Sequence, residues 1–458
     1  MFNFLKLKSR KQVRINQWRR YQSDLNKKAT THRLYRQLPA YAALACAILF
    51  LIYGGSIFIG NIRNAPIKEY SLDLPHSIET FDKATLQKII RYNPWTNSED
   101  DDFELHTSGK TYQVHSSIDS SLQQFIASRI DRKNSKHFGF IAMDPETGRI
   151  LTMVSYDRNS QTANICLQPE FPGASIIKIV TAAAAIEKCG FNADTPVTFN
   201  GNKYTLYKTQ LKEQINKSTN QVSFEKAFAF SINPVFGKVG LNQLGKSVLE
   251  SYAAAFGFNK LFDFEIPLSP SVFAISDEPY NCAEAACGFN RRTLMSPIHG
   301  ALIVAAIVNN GKLLEPTLID AIKFSDDLVY QRSAHPLSAP VTPYTAGTLK
   351  KMMTVTVASG TASKSFSGYK KDKVLSELTI GGKTGSINNN AEHLKYDWFA
   401  GFAEGKTGSP KLVVCALVVH KDYIGTKSAQ YARMAIKEYF ENYETTAQIQ
   451  SSQKAAAL

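Results

Sequence analysis

Three short groups of side chains in this chain can together carry acyl transfer through a serine: Ser175-Ile-Ile-Lys178, Ser231-Ile-Asn233 and Lys383-Thr384-Gly385. A serine hydroxyl is a weak nucleophile and needs a base. Lys178 lies one helical turn beyond Ser175 and so on the same face. A neutral lysine amine there can take the hydroxyl proton, and burial or a neighbouring cation lowers a lysine pKa towards the range a base needs. Backbone N–H groups at a helix start can hold a developing oxyanion.

Taken singly, each group is weak evidence. Average composition gives roughly two S-x-x-K matches by chance in a chain of this length. Others do occur, Ser223-Phe-Glu-Lys226 among them; S-x-N recurs at 218–220 and 386–388, and K-T-G at 406–408. Context separates them. Ser175 follows Phe171-Pro172-Gly173-Ala174 and opens an Ala- and Ile-rich helical pattern, where a plain helix cap is the competing reading. Ser223 follows a polar run and precedes Glu225 in a first turn, so it reads as a cap. Lys383 follows the apolar stretch 378–382, which ends in two glycines and predicts a strand edge with room for a backbone ligand. Lys406 sits in a turn before Pro410 and reads as turn chemistry.

Several elements must position these groups. Residues 138–144 and 149–155 are apolar runs around Pro145-Glu-Thr-Gly148, a hairpin pattern. Residues 397–403 and 411–420 are two more strand candidates. Helices are predicted over 175–189, stopped by Gly190, and over 223–239 and 296–309. Ala432, Ala435, Ile436, Tyr439 and Phe440 recur at helical spacing. This order predicts an α/β (α+β) domain over 113–444, with an antiparallel sheet closed by strands from both ends and helices on its faces. Residues 63–112, with Pro66, Pro75, Pro94 and the acidic run 98–104, read as a solvated connector, and 445–458 as a disordered tail.

The composition, 44% hydrophobic and 20% charged over 458 residues, is that of a globular protein. The net charge of +14 is concentrated at the start: residues 1–37 hold eleven Lys and Arg against Asp24 alone. The folded part therefore carries no strongly basic face, and no nucleic-acid partner is expected. Residues 39–60 are uncharged and, as a helix, span roughly 30 Å, the thickness of a bilayer core. By the positive-inside rule, 1–37 is a cytoplasmic tail, 38–62 a transmembrane anchor, and the rest lies outside. A cleaved signal peptide fits less well, because the apolar part is long and no small-residue cleavage site closes it. Cys46 lies in the apolar run; Cys166, Cys189, Cys282, Cys287 and Cys415 follow. They form no metal-ligand pattern, so no metal or cofactor is expected. An oxidising compartment permits disulfides, and Cys282 and Cys287 are the nearest pair, but five thiols leave at least one free.

Phe-Pro-Gly-Ala-Ser175-x-x-Lys178, Phe-Ser231-x-Asn233-Pro-Val-Phe and Gly-Gly-Lys383-Thr-Gly-Ser386, in this order, resemble the transpeptidase domain of penicillin-binding proteins. Further similar segments are Ile118-Asp119-Ser-Ser-Leu122-Gln123, Met143-Asp144-Pro145, Gly360-Thr361-Ala362 and Asp397-Trp398-Phe399-Ala400-Gly401. The stretch 63–112 lacks the R-G-x-I-x-D-R-x-G element of the monofunctional members' N-terminal module.

The resemblance implies a five-stranded antiparallel sheet flanked by helices on both faces. It implies Ser175 as the acylated nucleophile, Lys178 as its base, and Ser231 as a proton relay to the leaving amine. Asn233 would hold the substrate backbone, and Lys383 and Thr384, in the Lys383-Thr384-Gly385 strand, would bind the terminal carboxylate. Lys383 would also keep Lys178 unprotonated by repulsion, and the N–H groups of Ser175 and Ser386 would form the oxyanion hole. The implied activity is D,D-transpeptidation of peptidoglycan stem peptides, with β-lactams as covalent inhibitors and cell-wall glycosyltransferases as further partners. A D,D-carboxypeptidase, a β-lactamase or β-lactam sensor, and a catalytically inactive scaffold are the alternatives.

Overall fold

The computed structural model describes residues 83–90, 102–107, 110–406 and 410–456. The basic stretch 1–37, the apolar segment 38–62 and residues 407–408 of the second Lys-Thr-Gly lie outside the described residues. Among the described residues no helix is long and apolar enough to cross a membrane.

In chain order, helix α1 (Lys83–Ile90) is followed by strands β1 (Asp102–Thr107) and β2 (Lys110–Ser116), helix α2 (Ser120–Ser128), and strands β3 (Ser135–Met143) and β4 (Ile150–Asp157). A mainly helical part comes next: α3 (Lys178–Cys189), α4 (Phe224–Ala229), α5 (Asn233–Lys238), α6 (Pro279–Cys287) and α7 (Pro297–Val308). The chain then runs through β5 (Ile319–Phe324), β6 (Asp327–Gln331), α8 (Pro343–Ala358), β7 (Leu378–Asn389), β8 (Leu394–Gly405), β9 (Lys411–His420) and α9 (Ser428–Ala456).

The main sheet has the order β7-β8-β9-β3-β4 with every pair antiparallel. It is the antiparallel sheet that the sequence predicts, closed by the early hairpin and the late strands, and it has the five strands that the family resemblance implied. Central strand β9 shows why it is buried on both faces. Val413, Cys415, Leu417 and Val419 enter one core, with α3 and α7. Leu412, Val414, Ala416 and Val418 enter the other, with α2 and α9. Side chains alternate across a strand, so a strand covered on both faces needs a continuous apolar run. Helix α7 is buried along its whole length. Ser296 caps it by accepting from His299 N at 3.4 Å, and Pro297 starts it where no donor is needed. Each aliphatic or aromatic side chain so buried stabilises the fold by about 1.5–3 kcal/mol before entropy is counted.

Two boundaries read from the sequence change. Part of the stretch 63–112 is folded structure: β1 and β2 join β5 and β6 in a second sheet of order β1-β2-β5-β6. Tyr112 and Val114 are buried there, and the Tyr112 and Phe324 rings lie 5.2 Å apart. Lys83 in α1 pairs with Glu315 at 2.6 Å, and Gln87 Nε2 donates to Phe264 O at 2.7 Å. The acidic residues hid a two-residue alternation in Asp102-Phe-Glu-Leu-His, whose Leu105 is buried. At the other end, α9 continues past Glu444 to Ala456, since 445–456 contains no Gly or Pro to stop a helix.

Candidate active site

The site forms where the start of α3, the break between α4 and α5, and edge strand β7 meet. Ser175 lies in a 3-10 turn, Ala174–Ile177, that leads directly into α3. No side chain caps α3, so Ser175 does not play the plain cap role there. The turn is anchored from behind: Trp398, fully buried in β8, donates its Nε1–H to Pro172 O at 2.9 Å. Ser223, in contrast, is the N-cap of α4 and accepts from Lys226 N at 3.3 Å.

Lys178 has no solvent exposure. Its Nζ is 2.7 Å from Ser175 Oγ, 2.7 Å from Asn233 Oδ1 and 2.8 Å from Cys287 O. The Asn233 amide is oriented by its Nδ2, which donates to Tyr204 O at 3.0 Å, so Oδ1 must face the lysine. Asn233 Oδ1 and Cys287 O are pure acceptors and take two N–H bonds. A neutral amine has two N–H groups and one lone pair, and that lone pair is left for the Ser175 hydroxyl. Burial lowers the Lys178 pKa to about 8 against the smaller, opposite influence of Cys287.

The predicted helix over 223–239 is interrupted, and the interruption makes the site. Asn233-Pro234 cannot continue α4, because proline has no N–H to give and crowds the preceding turn. The chain turns at Ser231, whose φ is 56°, an uncommon conformation for a residue with a side chain. Ser231 Oγ then accepts from Lys383 Nζ at 3.0 Å, and Lys383 also donates to Thr384 O at 2.9 Å. Burial first, then the charge of Lys178, hold Lys383 well below the ordinary lysine range. Burial is thus the main cause that lowers the Lys178 pKa towards the range a base needs.

Strand β7 passes close to the nucleophile: a Cβ on Gly385 would come within 3.3 Å of Ser175 N. Thr384 Oγ1 shares a 2.5 Å hydrogen bond with Thr361 Oγ1, and Thr361 N donates to Ala229 O at 3.1 Å. This ties β7 to the Ser231 turn. Ser175, Ser231, Asn233, Thr384, Gly385 and Ser386 all line one cleft of ≈ 440 Å³, with Lys178 and Lys383 buried behind it. Lys406 is elsewhere, in an exposed ion pair with Glu377 at 2.6 Å.

Sequence reasoning missed three contributors. Cys287 acts through its carbonyl, and its thiol is free, as are those of the other four described cysteines. Gly288 lets this carbonyl approach: its φ is +68°, and a Cβ there would fall 1.8 Å from Ala174 O. A glycine closing a helix was the one available signal. Tyr204, which aligns Asn233, has no pattern that marks it. Among the described residues no group of three or more His, Cys, Asp or Glu is placed to hold a metal ion.

A cleft-lining serine beside a buried lysine, set between helices and the edge of a five-stranded antiparallel sheet, defines the penicillin-binding class of fold. The chain belongs to the penicillin binding protein transpeptidase domain family, whose model matches residues 138–437. It is 27% identical over 316 residues to the peptidoglycan D,D-transpeptidase PbpA of Mycolicibacterium smegmatis, covering 61% of each chain. It is 24% identical over 293 residues to penicillin-binding protein 3 of Bacillus subtilis, covering 57% of this chain and 42% of that one. The match thus spans less than two thirds of these curated relatives. The D,D-transpeptidase domain of an Eggerthella lenta peptidoglycan glycosyltransferase shares the fold with a TM-score of 0.61 at 22% identity, over 78% of this chain and 87% of that one. Penicillin-binding protein A of Mycobacterium tuberculosis does so at 0.57 and 21%, over 71% and 80%.

Proposed function

We propose that this chain is a peptidoglycan D,D-transpeptidase. The carrying observation is the buried Lys178 Nζ, 2.7 Å from Ser175 Oγ, 2.7 Å from Asn233 Oδ1 and 2.8 Å from Cys287 O: once neutral, the amine keeps its two N–H groups on the two carbonyl acceptors and turns its lone pair to the Ser175 hydroxyl. The relatives named D,D-transpeptidase and the family match support the same reading.

Ser175 Oγ attacks the carbonyl between the last two D-alanines, and its proton passes to Lys178 Nζ. The oxyanion is held by the N–H groups of Ser175 and Ser386. The C–N bond then breaks, and the departing D-alanine amine receives a proton through Ser231, which Lys383 orients. An amine of a second stem peptide attacks the acyl-enzyme, gives up its proton along the same path, and releases Ser175. Lys383 and Thr384 hold the terminal carboxylate, and Asn233 holds the donor backbone. β-Lactams acylate the same serine. The anchor at 38–62 keeps the domain outside the cytoplasmic membrane, beside cell-wall glycosyltransferases.

The test is turnover by the purified full chain of a D-alanyl-D-alanine peptide with and without an amino-acid acceptor. Amide formation at the expense of hydrolysis supports the transpeptidase. Hydrolysis alone makes the protein a carboxypeptidase, and no turnover makes it a scaffold. An export-dependent reporter fused after Glu444 is active and one fused before Arg36 inactive if the topology holds; the reverse pattern separates the enzyme from its substrate.

A further inference from the structure

Each of the two buried lysines faces an aromatic ring. Lys178 Nζ lies 5.6 Å from the ring centroid of Phe236, and Lys383 Nζ lies 5.6 Å from that of Phe228. Both rings are fully buried, and their centroids are 6.3 Å apart. Phe228 belongs to α4 and Phe236 to α5, so the break at Ser231 that builds the site also brings one ring to each amine. Phe224, one turn before Phe228 on α4, packs on Phe236 at 5.5 Å with 29° between the ring planes. Phe191 closes on Phe224 edge-on, at 5.0 Å and 89°. This packing fixes the Phe236 ring where it stands.

Negative charge is scarce around these amines. Among the described residues no carboxylate forms an ion pair with either lysine. The titratable groups that act on them are Lys178 itself on Lys383 and the Cys287 thiol on Lys178. Burial pushes that thiol up to about 11, so it is neutral at pH 7, and Glu284 on the same helix acts on the thiol rather than on the amine. A carboxylate beside Lys178 would hold it charged and unable to take a proton. A ring face favours a cation through its quadrupole without doing so by a full charge. Lys178 is neutral before it takes the Ser175 proton and an ammonium afterwards. A group that favours only the second state lowers the barrier between them.

We propose that Phe236 and Phe228 are positioning residues of the acyl transfer: the Phe236 ring supports the ammonium that Lys178 becomes when the Ser175 proton reaches it, and the Phe228 ring supports the ammonium with which Lys383 meets a carboxylate. The assignment rests on the transpeptidase reading, because it needs Lys178 as the base.

The experiment replaces Phe236 in the full chain by phenylalanines of increasing ring fluorination, ending at Phe236→pentafluorophenylalanine. Fluorine withdraws the negative potential from the ring face and leaves its shape nearly unchanged. The readout is the second-order rate of penicillin acylation against pH. The midpoint of the profile moves to lower pH by roughly half to one unit, because the ammonium loses support, and the plateau falls by up to about tenfold, the worth of one desolvated cation–π contact. Phe236→Met, which removes the ring, has the same effect. Phe228→pentafluorophenylalanine narrows the advantage of penicillin over its methyl ester, since only the acid carries the carboxylate that Lys383 meets. The same substitution at Phe258, buried beside His299 with no lysine over its ring among the described residues, changes neither readout. A midpoint that stays in place in Phe236→pentafluorophenylalanine overturns the role of that ring even where the plateau has fallen, because a packing defect slows the reaction without moving the titration. An ester discrimination untouched in Phe228→pentafluorophenylalanine overturns the role of the other. These outcomes leave the transpeptidase reading standing; a wild-type chain that takes no penicillin defeats that reading and the assignment with it.

Discussion

Lys383 Nζ donates to Ser231 Oγ at 3.0 Å, joining an edge strand to a helix break 152 residues earlier in the chain. Both groups are buried, and Lys383 is held well below the ordinary lysine range by burial and by Lys178. A lysine whose folded pKa is below its unfolded value destabilises the fold at neutral pH, and the cost is relieved as pH rises between the two values. Lys383→Met therefore stabilises the domain by on the order of 1–2 kcal/mol while removing acylation. Thermal melting and penicillin labelling measured side by side check this. Lys406→Ala, which breaks only an exposed pair, leaves both unchanged. Equal losses of acylation in the two variants would show that the wrong Lys-Thr-Gly had been assigned.

The pH profile of acylation follows Lys178. Its amine must be neutral to accept the Ser175 proton, and burial places its pKa at about 8. The second-order rate of penicillin acylation rises with pH and levels off above an apparent pKa near that value. Lys178→Arg stays charged throughout and loses about 10²–10⁴-fold. A rate that is flat from pH 6 to pH 9 argues against Lys178 as the base.

Ser175→Ala abolishes covalent penicillin labelling, as seen by mass spectrometry of the intact protein. Ser223→Ala keeps labelling and loses about 1 kcal/mol of stability, the worth of the cap it makes to Lys226 N. Labelling that survives in Ser175→Ala removes the assignment.

Gly288 and Gly190 both sit in the left-handed region, at +68° and +67°, but only Gly288 is crowded. A Cβ at Gly288 meets Ala174 O, whereas one at Gly190 meets nothing within 4 Å. Gly190→Ala costs roughly 1–2 kcal/mol and leaves the acylation rate unchanged. Gly288→Ala also pushes the Cys287 carbonyl away from Lys178, and acylation slows by about 10²-fold, as expected for a misplaced catalytic pair. Similar rates in the two folded variants would show that the Cys287 carbonyl does not orient the base.

The sequence by itself determined the parts whose cause is local. The double-sided apolar run of β9, the Ser223 cap, the Gly190 stop and the motif order were all legible, because side-chain period and capping act within a turn or two. The difference between Ser175-x-x-Lys178 and Ser223-x-x-Lys226 was legible for the same reason. Tertiary structure decided what depends on residues far apart in the chain. The sequence reading ran one helix through 223–239; the break before Pro234 appears only in the structure, and only the pairing of β7 with β8 brings Lys383 to the resulting Ser231 turn. The Cys287 and Tyr204 carbonyls that orient Lys178 and Asn233 belong to backbone, which every residue shares, so no side-chain type marks them. Residues 102–112 read as part of a solvated connector because strand edges declare themselves only when a partner arrives, here β5, some 200 residues later. Interactions within a helical turn are written in neighbouring side chains, whereas a contact closed across a sheet depends on the register of every strand between.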